Sequence, residues 1–257
     1  MSDSPQPSLP RRLAAEALGT GCLLMALIGS GVMAVNLSQG NMGVALMAIA
    51  LPVGAILSVL ILMFAPISGA HFNPAVTIAI AALGDMKWRE VPAYVATQIS
   101  AAIGGVMLAH LMFDLPLVTI GTTARTGPAQ WLSEVLATFG LFAVIWATAR
   151  LRAQALPYAV GAYVFAAIWF TSSTCFANPA VTISRLVTDT ICGIRPQDVL
   201  PFIACQAVGA ALATGLFHWL VPTKPVIELE NMVPEADSAD GAGRKRSYSG
   251  PLTPLND

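Results

Sequence analysis

The chain has 257 residues, a formal net charge of −1, 56% hydrophobic and 11% charged residues, and a mean hydropathy of +0.70. Soluble domains average about 25% charged residues, so this composition belongs in a lipid bilayer and leaves little for a separate globular domain. Near-neutral charge without a basic stripe excludes nucleic acid as a partner. The four cysteines, Cys22, Cys175, Cys192 and Cys205, show neither CxxC nor Cys/His spacing, which indicates no disulfide framework, metal site or cofactor.

Residues 1–10 read as a short polar segment on the cytoplasmic side, followed by Arg11 and Arg12 and then the first apolar stretch. No small-residue cleavage site ends that stretch, so it is expected to be a retained span. A helix needs about 20 apolar residues to cross a bilayer, and such stretches occur near 13–35, 43–65, 91–112, 131–149, 157–173 and 199–221. Arg11 with Arg12, Lys87 with Arg89, Arg150 with Arg152, and Lys224 fall at alternate connections. Basic residues gather in cytoplasmic loops, so both termini are expected in the cytoplasm and the 114–130 connection outside. Residues 223–257 lose hydrophobic periodicity and gain Pro, Ser, Gly and acidic residues, the composition of a disordered cytoplasmic tail.

The strongest pattern is an internal repeat. Asn73-Pro74-Ala75-Val76-Thr77-Ile78 recurs as Asn178-Pro179-Ala180-Val181-Thr182-Ile183, 105 residues later. Glu16 and Thr20 are echoed by Glu134 and Thr138, and Gln98 with Gly104-Gly105 by Gln206 with Gly209. The channel domain, 11–222, thus divides into one repeat at about 11–113 and another at about 130–222. Three spans per repeat is an odd number, so the second repeat enters the membrane inverted. After each Asn-Pro-Ala the apolar stretch is only about ten residues, too short to span and better read as a re-entrant half-helix. Irregular backbone at membrane depth is tolerated only where it is packed in protein or lines a watery cavity. Two opposed half-helices therefore predict a pore. Asn is a preferred N-cap and Pro suits the first helical position, so Asn73-Pro74 and Asn178-Pro179 should start the half-helices. Their amides are then free to bind a solute at the centre.

Ser68-Gly69-Ala70-His71-Phe72-Asn73-Pro74-Ala75-Val76-Thr77 and Asn178-Pro179-Ala180 resemble the two pore signatures of the aquaporin, or major intrinsic protein, family. The resemblance implies an all-α membrane protein: a right-handed bundle of six transmembrane helices plus two re-entrant half-helices, assembled as a homotetramer with one pore per subunit. It also implies that Glu16 and Glu134 accept hydrogen bonds from the pore-loop backbone, a role that fits the cost of an unpaired intramembrane carboxylate. His71 is expected to support its loop rather than bind metal, and His110 and His218 to sit at the interfaces.

Most of the family carries an Arg directly after the second Asn-Pro-Ala, where this chain has Val181. Counting without gaps places the remaining filter positions at Val53, Ala166 and Cys175. This set makes an opening wider and more apolar than a water filter. Arg185, one helical turn beyond Val181, belongs to the outer vestibule, either lending a charge to the filter or, as favoured here, snorkelling outward to pair with Asp189. Thr188-Asp189-Thr190 and Gly193-Ile194-Arg195-Pro196 are similar to bacterial members associated with arsenic resistance. The reading is a passive channel of the bacterial inner (plasma) membrane, not an enzyme, for small uncharged solutes: glycerol-like polyols, urea, metalloid hydroxides such as arsenite, and water. A water-selective channel and an ion-coupled secondary transporter are the alternatives.

Overall fold

The computed structural model describes residues 7–221. The tail expected over 223–257 and most of the expected 1–10 segment lie outside the described residues. Eight α-helices follow in chain order: α1 (Leu9–Leu37), α2 (Met42–Ser68), α3 (Pro74–Ala82), α4 (Val91–Met112), α5 (Pro128–Leu151), α6 (Leu156–Phe170), α7 (Pro179–Ser184) and α8 (Pro196–Leu220). Six are long and apolar enough to cross a membrane, counting the single 3-10 turns that lead into α4 and α6. The other two, α3 and α7, are the short helices expected after each Asn-Pro-Ala. The first helix begins at Leu9, four residues before the apolar stretch expected near 13–35, with Pro10 in its first turn.

The repeat in the sequence is a repeat in packing. In the first half α1 lies along α4 and α2; in the second, α5 lies along α8 and α6, while α2 packs on α6 to join the halves. The short helices cross over: α7 packs on α4 of the first repeat and α3 on α8 of the second. Small residues set these approaches, since in lipid, helices associate by close packing rather than by expulsion of water. A Cβ added at Gly105 of α4 would lie 2.2 Å from the Gly21 carbonyl oxygen of α1. At its counterpart Gly209 of α8, a Cβ would lie 2.3 Å from the Val135 carbonyl oxygen of α5. Large apolar side chains such as Leu18, Leu51, Leu62, Leu108, Leu136 and Leu212 remain exposed on the outside, the side that lipid would cover.

Candidate functional site: a central cavity with two inverted loops

Each half-helix is started by the local chemistry that the sequence predicts. Asn73 and Asn178 both take extended backbone, φ −154° and −158°, and each Oδ1 accepts from the N–H two residues on, Ala75 and Ala180, at 2.9 Å. Pro74 and Pro179, lacking N–H groups, open the helices without leaving a donor orphaned. The remaining amide donors cross the molecule. Asn73 Nδ2 donates to the Ala177 carbonyl at 2.8 Å and Asn178 Nδ2 donates to the Phe72 carbonyl at 2.7 Å.

The loops before the Asn residues are held by the paired glutamates. Glu16, fully buried, accepts from the His71 and Phe72 N–H groups at 2.9 and 2.7 Å, the Ser68 hydroxyl at 2.7 Å and Gln98 Nε2 at 2.9 Å. Glu134, equally buried, accepts from the Phe176 and Ala177 N–H groups and from Gln206 Nε2. Bonds to a charged acceptor contribute roughly 1.5–3 kcal/mol each, which offsets the desolvation of each carboxylate. The two glutamines occupy matched places in the repeat, where the sequence pattern alone assigns them no role. Each also bonds the threonine that follows its half-helix start, Thr77 or Thr182, at 3.0 and 2.7 Å. His71 braces its own loop through Nδ1 and the Thr77 hydroxyl at 3.0 Å.

Both loops repeat one backbone device. Ala70 and Phe72, three and one residues before Asn73, have φ +51° and +50°; Cys175 and Ala177, three and one before Asn178, have +51° and +48°. Left-handed backbone at non-Gly residues is costly and persists only where the surroundings impose it. Here the glutamates capture the N–H groups, so the carbonyls are turned elsewhere. No described residue donates to the carbonyls of Ala70, His71, Cys175 or Phe176.

These loops line a central cavity of about 270 Å³. One wall is the loops themselves, Gly69–Asn73 and Thr174–Asn178; the other is apolar, built by Leu24, Val53, Leu141, Val160, Val164, Ile168 and Val181. A second, more polar cavity of about 430 Å³ adjoins at Gly69, His71 and Ile80, bounded by Arg12, Glu90 and Tyr94.

Val53, Cys175 and Val181 all border the central cavity. Ala166 does not: it is exposed on the outer face of α6, and Val160, Val164 and Ile168 form the inner face. Residues four apart share a helix face, whereas Ala166 lies two residues from Ile168, about 200° around the axis. The α6 contribution to the cavity is therefore Val160, Val164 and Ile168 rather than Ala166. Arg185 is also placed differently from the favoured expectation. It is buried, borders the cavity, donates through Nε to the Cys192 carbonyl, and stacks 3.5 Å from the Phe176 ring centroid. Asp189 instead accepts from the Thr122 N–H and hydroxyl at 2.8 and 2.7 Å, bonds that hold its carboxyl below the usual carboxylate range.

Three further placements differ. His110 is 1% exposed, its Nδ1 bonded to the Pro116 and Leu117 carbonyls and its Nε2 to the Thr188 hydroxyl, so it fastens the connection between α4 and α5 rather than facing the interface. Cys192 is buried, its thiol directed to the Leu27 carbonyl, rather than sitting at the rim. Arg125, missed in the sequence, is buried on the connection between α4 and α5 and donates to the Gly193 carbonyl at 2.8 Å, the Ile191 carbonyl at 3.2 Å and the Thr174 hydroxyl at 3.3 Å. Its guanidinium lies 4.8 Å from the same Phe176 ring. The surplus of Thr and Gly around it, Gly121 to Gly127, marks a turn-rich loop but carries no sign of a buried cation.

Comparison with known proteins agrees with this geometry. The chain is 50% identical over 220 residues to the aquaglyceroporin AqpS of Rhizobium meliloti, covering 85% of this chain and 94% of that protein. It is 31% identical to aquaporin NIP6-1 of Arabidopsis thaliana, covering 83% and 70%. The crystal structure of the aquaglyceroporin from Plasmodium falciparum shares the fold, with a TM-score of 0.61 at 20% identity, covering 86% of this chain and all of that one. The family described as Major intrinsic protein matches residues 4–175, and with two inverted Asn-Pro-Ala half-helices meeting at one cavity, the chain belongs to that family.

Proposed function

We propose that the protein is a passive transmembrane channel for small uncharged hydroxylated solutes, glycerol-like polyols first, with urea and metalloid hydroxides such as arsenite in the same class. The observation that carries this reading is the two-sided cavity. A solute hydroxyl stripped of water costs roughly 2–7 kcal/mol if left unpaired; the free carbonyls of the loops and the second N–H of each Asn amide supply the missing partners. The apolar wall accommodates the hydrocarbon edge of a polyol. An ion would face an idealised desolvation cost of about 20 kcal/mol, which a few neutral carbonyls and amides offset only in part. Val181 and Ile168, apolar side chains on the cavity lining, favour this class over a water-selective filter.

Plasma-membrane placement with cytoplasmic termini is supported by charge. Arg11, Lys87, Arg89 and Arg152 are exposed, Arg12 pairs with Glu90, and Arg150 caps the end of α8. On the opposite side Arg125 and Arg185 are buried and Arg195 is paired with Asp198. A homotetramer is the assembly that this reading takes. The test is stopped-flow flux in proteoliposomes with glycerol, urea, arsenite and water in parallel. Reversible, non-saturating glycerol flow independent of ion gradients supports the channel; glycerol flow no faster than in empty vesicles, with water flow raised, overturns the solute class.

A further inference from the structure

The two buried guanidiniums beside Phe176 are not equivalent. Arg125 is well partnered: four carbonyl or hydroxyl acceptors surround its guanidinium, and its own backbone N–H is accepted by Asp198 at 2.6 Å. Arg185 is 4% exposed, yet its one acceptor among the described residues is the Cys192 carbonyl at Nε. Neither terminal amino group has an acceptor, and no carboxylate lies within 4 Å of it. The residue borders the central cavity together with Thr174, Cys175, Phe176 and Val181. An enclosed cation normally carries its counter-ion. Here the four outstanding N–H donors belong to a residue that lines the cavity.

We propose that Arg185 is the specificity-determining residue at the outer end of the channel. Its charge turns back cations and hydronium, while its unshared N–H groups take the oxygen acceptors of a neutral solute after that solute passes the mouth. Phe176 fixes the guanidinium plane by stacking and Cys192 fixes its Nε. Arg125 acts as a positioning residue, tying Thr174 of the pore loop to the 191–193 segment and adding a second like charge behind the first. The Cys175 and Phe176 carbonyls, which accept from no described residue, belong to residues lining the same cavity, so a hydroxyl is offered both donors and acceptors there. A bare cation meets a fixed positive charge there. The proposal rests on the channel reading and adds where along the path the charge selection is made.

The experiment compares wild type, Arg185→Gln and Arg185→Lys in proteoliposomes, reading glycerol flux alongside sodium and proton leak. Gln retains a polar side chain without charge, and Lys retains charge without the planar fork. Removing a like charge about 8 Å from a passing cation, at an effective dielectric near 20, raises its passage roughly tenfold to hundredfold. Arg185→Gln is therefore expected to gain a cation or proton leak of that size, and Arg185→Lys to stay tight to ions while its glycerol flux falls. Should Arg185→Gln not reconstitute, Phe176→Leu keeps both cations but releases the stacking, and a leak rising several-fold is expected from it instead. Glycerol flux in wild type with no leak in Arg185→Gln or Phe176→Leu overturns this proposal alone. Absence of glycerol flux in wild type overturns the channel reading and this proposal with it.

Discussion

Asn73 and Asn178 brace each other's loops. The amide of Asn73 donates to the carbonyl just before Asn178, and the amide of Asn178 donates to the carbonyl just before Asn73, at 2.8 and 2.7 Å. Replacing Asn73 by Asp removes the donor and sets a carboxylate against the Ala177 carbonyl. Losing a buried partner costs about 1–3 kcal/mol, and more with an added charge. Asn73→Asp and Asn178→Asp are each expected to lower the thermal midpoint in detergent and to reduce glycerol flux per folded protein. A midpoint and flux equal to wild type in both variants would contradict the reciprocal bracing.

The position of the α6 wall gives a sharper contrast. Ile168→Trp fills the cavity and is expected to suppress glycerol flux strongly, whereas Ala166→Leu, on the exposed face, should leave it within about twofold, as surface changes away from special features usually do. Val181→Arg should also suppress flux, because it adds a second charged side chain one turn before Arg185. Flux sensitive to Ala166→Leu and indifferent to Ile168→Trp would restore the sequence-based filter.

That contrast shows what was legible and what was not. The two half-helix starts were readable because six consecutive residues repeat and because Asn-Pro carries a defined capping chemistry. The roles of Glu16 and Glu134 followed from their matched places. The phase of α6 was not readable, since a helix apolar on every side has no stripe to mark its inner face. Counting back from Asn178 across the irregular 171–177 segment carries no helical phase, and it lands on the exposed Ala166. Arg185 failed for a different reason. Pairing with Asp189 assumed a continuing helix, but α7 ends at Ser184, a 3-10 turn follows, and Thr188 is extended. The four-residue spacing then no longer places two side chains together.

Cys175 borders the cavity, whereas Cys192 is packed under α1 and Cys22 and Cys205 lie half-buried on spans. An impermeant mercurial is expected to inhibit glycerol flux in wild type and in Cys192→Ser, and to leave Cys175→Ser active. Equal inhibition of wild type and Cys175→Ser would remove this thiol from the path.

Glu134→Gln replaces a buried acceptor of two loop N–H groups with a group that accepts through one oxygen only. Gln206 would then face a second amide. A loss of about 1–3 kcal/mol is expected, seen as a lower thermal midpoint, with Glu16→Gln behaving alike because its loop is held in the same way. An unchanged midpoint in either variant would contradict the anchoring role.

Asp189 tethers the outer connection through Thr122. A carboxyl held below its ordinary value stabilises the fold above an unfolded value near 3.9 and loses that contribution as pH falls through the lowered one. Hydrogen exchange over residues 119–123 is therefore expected to show, after correction for intrinsic rates, the same protection from about pH 5 to 8, with loosening only in stronger acid. Asp189→Asn should show the loosened exchange at neutral pH, and equal protection in both proteins would count against the tether.

The crossed amides also constrain the order in which the protein is made. The acceptor for Asn73 lies 104 residues further along the chain. Domains form from the N-terminus during synthesis, so the first three spans enter the bilayer while the Asn73 amide still lacks its acceptor. The second half arrives inverted and supplies it, taking the Phe72 carbonyl in exchange. A chain truncated between the repeats therefore has the helices of half a bundle without a settled centre. The two crossed bonds can close only once both halves are present.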